Sequence, residues 1–190
     1  ERICLPDLRN TVSGHNLQLA KNNIVTLDFR ALGLLYVANR VELIKPLLLL
    51  MERLDFLVFD RFSCSSRLYQ VAQGILAGDD PAWERKIWAG RDMPFDKAVQ
   101  VDCGFVLMNT PEEMGKALLA RSQRRLATRK PIEEIEQNPK LQSLVRVEYE
   151  LFLQQNPGWH RLDVGIPPAI DQSKEWLRKW LRTMVYRLGL

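Results

Sequence analysis

No apolar run in the 190-residue chain approaches the ~20 residues that a membrane-crossing helix needs. Leu47 to Met51, among the longest, is about a turn and a half of helix. No segment reads as a secretory signal. Cysteine is scarce as well: Cys4, Cys64 and Cys103 are an odd number, with no Cys-x-x-Cys, and the only histidines are His15 and His160. This supply excludes a disulfide framework and a zinc site. The default setting is therefore a reducing intracellular compartment, the cytoplasm first and an organelle second. Also missing is Gly-x-x-x-x-Gly-Lys-Ser/Thr, the loop whose backbone N–H groups cradle phosphates. The one Gly-Lys, Gly115-Lys116, has Thr110 where the first glycine belongs and Ala117 where the hydroxyl belongs. The first residue is Glu1 rather than Met, which predicts cutting or processing ahead of it.

What is present reads as one globular domain over 1–190. Apolar residues make up 46% and charged residues 26%, outside the range of disordered chains. A chain this long buries a real core. The net charge of +4 and pI near 9.1 suit polyanions such as nucleotides without singling out nucleic acid.

The densest chemistry lies in residues 54–70. Phe56 to Phe59 is a short apolar run, suited to a parallel strand buried on both faces. Asp60 and Arg61 follow at once. They read either as a solvated turn pair or as an acid and a base at the carboxyl end of a strand, where open α/β sheets bind ligands. A hydroxyl-rich turn leads to Ser66, Tyr69 and Gln70.

Around this stretch, residues 1–6 predict a short strand stopped by Pro6, followed by a polar loop holding Arg9 and Thr11. Residues 28–45 have a helical pattern that is apolar on more than one face, as at a doubly buried position or a subunit interface. Tyr36 and Arg40, four apart, share a side of it. They read as a core tyrosine with a snorkelling neighbour, or as a ring and guanidinium for a base. Pro46 is expected to interrupt this helix, with Leu47 to Leu54 as a second piece. Residues 71–79 continue as helix. Residues 78–99 read as an irregular insertion or elaborated loop, whose Trp83 and Trp88 pack it onto the body. A strand follows at Phe105 to Met108, then a capping box at Thr110–Glu113. Residues 121–130 carry five positive charges, among them Arg121 and Arg125: a solvated face, or a lid closing over phosphates. A helix over 141–155, a strand at Trp159–Val164 and a basic amphipathic helix after Ser173 close the chain.

Asp60-Arg61-Phe62, Ser65-Ser66 and Tyr69-Gln70 together resemble the Asp-Arg-Tyr…Ser-Ser-x-x-Tyr-Gln signature of thymidylate kinases, at the same spacing. Leu34 to Arg40 is similar to that family's Leu-Leu-Phe-x-Ala-Asn/Asp-Arg. Leu5-Pro6-Asp7…Arg9-Asn10-Thr11…Gly14 looks like its Phe-Pro-Glu-Arg-x-Thr-x-x-Gly with one extra residue. The likeness runs from about Leu5 to Asp163. It implies an α/β, P-loop kinase-like three-layer fold, a parallel sheet flanked by helices, whose N-terminal P-loop strand is absent from these residues. Another segment would have to fill that gap, or residues would have to precede Glu1.

The resemblance also implies roles. Arg9 and Arg61 would grip phosphates, and Asp60 would organise Mg²⁺ through its waters. Tyr36 and Arg40 would read the base, Ser66 would bond the pyrimidine edge, and Tyr69 and Gln70 would line the acceptor pocket. Arg121 and Arg125 would act from a lid over 121–137. The intact enzyme would transfer a phosphoryl group from ATP, with Mg²⁺, to thymidine monophosphate, whereas these residues alone are expected to be inactive. It would dimerise through the 28–45 helix. The alternative is a catalytically dead kinase-like subunit of a larger complex, with a different partner on that helix.

Overall fold

The computed structural model describes residues 2–108 other than 23 and 56, residues 138–163, and residues 174–175, 177–179 and 182–183. The chain divides into two compact units, Glu1–Val101 with Leu144–Glu148, and Asp102–Ser143 with Tyr149–Leu190.

In the first unit, strand β1 (Arg2–Cys4) pairs in parallel with β2 (Val58–Asp60), with Cys4 opposite Asp60. The Leu5 N–H donates to the Asp60 carbonyl at 3.2 Å, so both strands release their chains at the same end. The apolar run thus ends as a strand on Asp60.

Helix α1 spans Val12–Lys21 and α2 spans Phe29–Met51. Asp28 caps α2, its carboxylate accepting from the Ala31 N–H. The expected break at Pro46 does not occur, and the helix runs through it. A proline removes one helical N–H, but the segment is anchored on both sides of it. Leu43 and Leu47 are buried in a core with Leu5, Phe95 and Val99. Phe59 and Phe62 pack against this core, their rings 5.4 Å apart and edge to face.

Helix α3 (Ser63–Ala77) ends at Gly78, whose φ of 99° takes the left-handed conformation that glycine adopts without steric cost. Residues 78–99 then depart from the expected irregular segment. Pro81–Ala98 form an eighteen-residue helix, α4, with Pro81 in its first turn and Asp80 as its cap.

The reason lies in partners far away in sequence. Glu84, Trp88, Asp92 and Asp96 recur every fourth residue and so share one face. Glu84 accepts from Arg30 of α2 at 2.6 Å and abuts Gly74 of α3. Trp88 packs at Gly33 of α2, beside Gln70 of α3. Asp92 takes Arg40 of α2, and Asp96 takes Arg67 and Ser63 of α3. The contacts ascend α2 and descend α3, so α4 lies parallel to the first and antiparallel to the second. Its carboxylates are matched one by one to arginines. Glu148, from a helix named α5 (Pro139–Gln155), receives both arms of Arg85 at 2.9 and 2.7 Å.

In the second unit, β3 (Gly104–Met108) and β4 (Trp159–Asp163) pair in parallel. The strands expected at 105–108 and 159–164 are present over these bounds. Gly104 is needed here: a Cβ would lie 2.2 Å from the Trp159 ring, which meets Phe152 of α5 edge to face. The capping box at Thr110–Glu113, the lid over 121–137 and most of the closing basic helix lie outside the described residues.

Candidate functional site

The parallel pairing of β1 and β2 brings two of the predicted segments to one rim, the turn after Leu5 and the Asp60-Arg61 step. That turn is built by Asp7. One carboxylate oxygen accepts from the N–H groups of Arg9 and Asn10, at 2.9 and 3.1 Å, and the other from the Asn10 amide. Asn39, fully buried on α2, clamps the same residue. It accepts the Asp7 N–H and donates to the Asp7 carbonyl and to Thr11. Arg9 is thereby presented at the surface of a rigid turn.

Thr11 caps α1 through the Gly14 N–H, and Glu42 of α2 accepts from the N–H groups of Val12 and Ser13 and from the Ser13 hydroxyl. Burial pushes the Asp7 carboxyl up, but hydrogen bonds from Arg9 and Asn10 outweigh it and hold the group below its ordinary 3.8. The Ser13 hydroxyl chiefly does the same for Glu42. Both carboxylates favour folding above the ordinary carboxylate range and lose that contribution as pH falls through their depressed values. On acidification below about pH 4, α1 amides should lose hydrogen-exchange protection before those of α3.

Asp60 and Arg61 are exposed. Arg61 has φ 71°, in the left-handed region that costs a non-glycine residue about 1–2 kcal/mol. Strain of this kind persists only where the surrounding structure holds it in place. Arg61→Gly should therefore stabilise the chain by about 0.5–1 kcal/mol, the relief partly offset by glycine's entropy. On the phosphate-gripping role that the resemblance implies for Arg61, it should also abolish anion binding. Urea unfolding and anion titration of the variant check the two effects.

The remaining predicted residues lie on α2 and α3. Arg40 is buried, its side chain 5% exposed. One terminal nitrogen donates to the Ser66 hydroxyl at 2.6 Å and the other to Asp92. Burial pushes the Asp92 carboxyl up, with Arg40 opposing. Tyr36, one turn before Arg40, and Tyr69 are half-buried, and Gln70 is buried against Gly33 and Trp88. The structure thus joins Arg40 to Ser66 directly, while Asp60-Arg61 and the turn that carries Arg9 follow the paired ends of β2 and β1. Arg121 and Arg125 lie outside the described residues.

Asp92 escaped the sequence reading. Its signal was the four-residue recurrence of Glu84, Trp88, Asp92 and Asp96, which shows only once 81–98 is taken as a helix. Cys64 can be set aside as a nucleophile, since burial pushes its thiol up to about 12.

Parallel strand pairs with helices packed about them make a helix-rich α/β fold of the P-loop kinase-like class. Among solved structures it is similar to the thymidylate kinase of Candida albicans. The match covers 100% of this chain and 80% of that one, with a TM-score of 0.66 and 19% identity, a likeness of fold. No protein-family model and no curated protein matches the sequence.

Proposed function

We propose that the chain is the acceptor-binding part of a nucleoside monophosphate kinase of the thymidylate type, taking a pyrimidine nucleoside monophosphate. The observation that carries this reading is the shared rim, where Arg9 on its Asp7-built turn and the strained Arg61 leave the same end of a parallel strand pair. Two guanidinium groups there suit a phosphate monoester. Arg40 and Ser66, with Tyr36, Tyr69 and Gln70 on the same two helices, supply the base and sugar end.

Among the described residues no three His, Cys, Asp or Glu side chains form a metal cluster. A strand-end carboxylate such as that of Asp60 fits Mg²⁺, which binds through one or two carboxylates plus substrate phosphates. Asp60 would hold it through water. The ion would screen charge on the transferring group of ATP, with Arg121 and Arg125 closing from the lid. Calorimetric titration with thymidine monophosphate tests the acceptor site. We expect saturable heat that Arg61→Ala weakens at least tenfold; no heat at millimolar ligand overturns the reading.

A second reading, a kinase-like subunit without activity, is favoured by Arg40 being committed to Asp92. It is also favoured by Leu34, Val41 and Leu48, seven residues apart on α2 and each at least 40% exposed. That stripe would join a second copy or another subunit. Light scattering should then show a dimer of the 22.1 kDa chain that Val41→Glu dissociates; a monomer at every concentration removes the homodimer. Among the described residues no helix is long and apolar enough to cross a membrane.

A further inference from the structure

We propose that Asp92 of α4 recognises the nucleobase: together with Arg40 it presents one acceptor and one donor to the hydrogen-bonding edge of a pyrimidine. The inference rests on the nucleotide-binding reading above and assigns a base-reading group within it.

The ion pair between Arg40 and Asp92 is incomplete. Arginine carries five N–H donors in a planar fork, and a carboxylate offers two acceptor oxygens. In this pair the Arg40 terminal nitrogens are occupied by Ser66 and by one oxygen of Asp92. The Arg40 Nε and the second Asp92 oxygen have no hydrogen-bond partner among the described residues. The two side chains are 5% and 0% exposed. Buried polar groups are nearly always satisfied, and an unpaired one keeps its desolvation cost. Geometry that matches charges yet leaves one donor and one acceptor open is what a site for a third group would show.

Gln70 adds to it. One turn beyond Ser66 on α3, its Oε1 is also buried and unpartnered. Gln73 Oε1 and Arg91 Nη1, on α3 and α4, share that state.

The chemistry of the open atoms narrows the ligand. A phosphate has no donor for Asp92 and is repelled by it. A metal cation answers Asp92 but not Arg40. A planar edge with an N–H beside an acceptor answers both. Thymine and uracil supply this as N3–H with O4, and cytosine as its amino group with N3. Guanine and adenine carry the same kind of pair, so the open atoms select a nucleobase edge, and the choice of a pyrimidine comes from the nucleotide reading above. The two kinds of pyrimidine are separated by comparing their affinities.

The test is calorimetry on the full chain, comparing thymidine monophosphate, cytidine monophosphate and base-free ribose 5-phosphate with wild type and Asp92→Asn. The substitution keeps the shape but can replace the open acceptor with a donor. We expect at least a tenfold loss for the preferred nucleotide and unchanged ribose 5-phosphate affinity. A purely structural role would lower both alike, and that result overturns the proposal, as does no loss at all. If the variant does not fold, wild type is titrated with thymidine monophosphate methylated at N3, or with cytidine monophosphate dimethylated at the amino group if cytidine is preferred. A tenfold loss supports the assignment and equal affinity overturns it. Absence of nucleotide binding by wild type overturns the nucleotide reading along with this one. Binding of ribose 5-phosphate as tight as that of the nucleotides overturns the base-reading role alone.

Discussion

Trp88→Ala should destabilise the first unit by about 3–5 kcal/mol, the usual cost of emptying a large buried aromatic site. Trp88 is only 1% exposed and fills the space between α2 and α3, where Gly33 leaves room for its ring. Its indole N–H donates to Glu84 at 2.8 Å, and the Arg91 guanidinium sits 4.4 Å above its ring centroid. Truncation thus opens a cavity and removes the hydrogen bond of a carboxylate that is itself fully buried. Total stability for a domain is about 5–15 kcal/mol, so a large fraction would be lost. Trp88→Phe keeps most of the volume and should cost about 1–3 kcal/mol, the price of leaving Glu84 one donor short. Urea unfolding followed by circular dichroism measures both. If the alanine variant lost less than about 1 kcal/mol, α4 would not be packed between these helices as described.

Gly14→Ala should be nearly as damaging, for a different reason. A Cβ at that position would lie 2.0 Å from the Asp7 carbonyl oxygen and 2.4 Å from the Thr11 hydroxyl. The nearest atom belongs to the backbone, so no side-chain rotation relieves the clash. That backbone is also pinned by Asn39 on both its N–H and its carbonyl. Inserting the methyl must break the clamp or push α1 off its cap. We expect a loss of about 2–3 kcal/mol and, on the function proposed above, a matching fall in nucleotide affinity, because Arg9 rides on the same turn. Gly90→Ala is the control. Nothing lies within 4 Å of a Cβ there, and the residue sits inside α4. Alanine should stabilise that helix by about 0.5–1 kcal/mol. Thermal unfolding of the pair separates steric conflict from the general effect of adding a methyl group.

How much of this was legible beforehand depends on the reach of each interaction. The strand ending at Asp60, the helix over 28–45, the strands near 105–108 and 159–164 and the helix over 141–155 are all written as local hydrophobic period. Each appears within a few residues of its expected bounds, except that the 28–45 helix runs on to Met51. The segment 78–99 reads as a loop because its local signals point that way: Gly78, Gly90, Pro81 and Pro94 with mixed charge. Pro46 misled in the same manner.

From sequence alone, then, came the α/β class, the strands, most of the helices and the strand end at Asp60-Arg61, which follow from neighbours in the chain and from spacing. Helices α1 and α4 were not among them, and Arg9 entered through the family resemblance. Only the tertiary structure could show that Glu84, Asp92 and Asp96 each meet an arginine on α2 or α3, making a charged, proline-containing stretch into a buried helix. It alone shows Arg40 paired within the fold, with one donor still open. Pairing of opposite charges depends on distance in space, and nothing in the one-dimensional order of residues records which carboxylate will face which guanidinium.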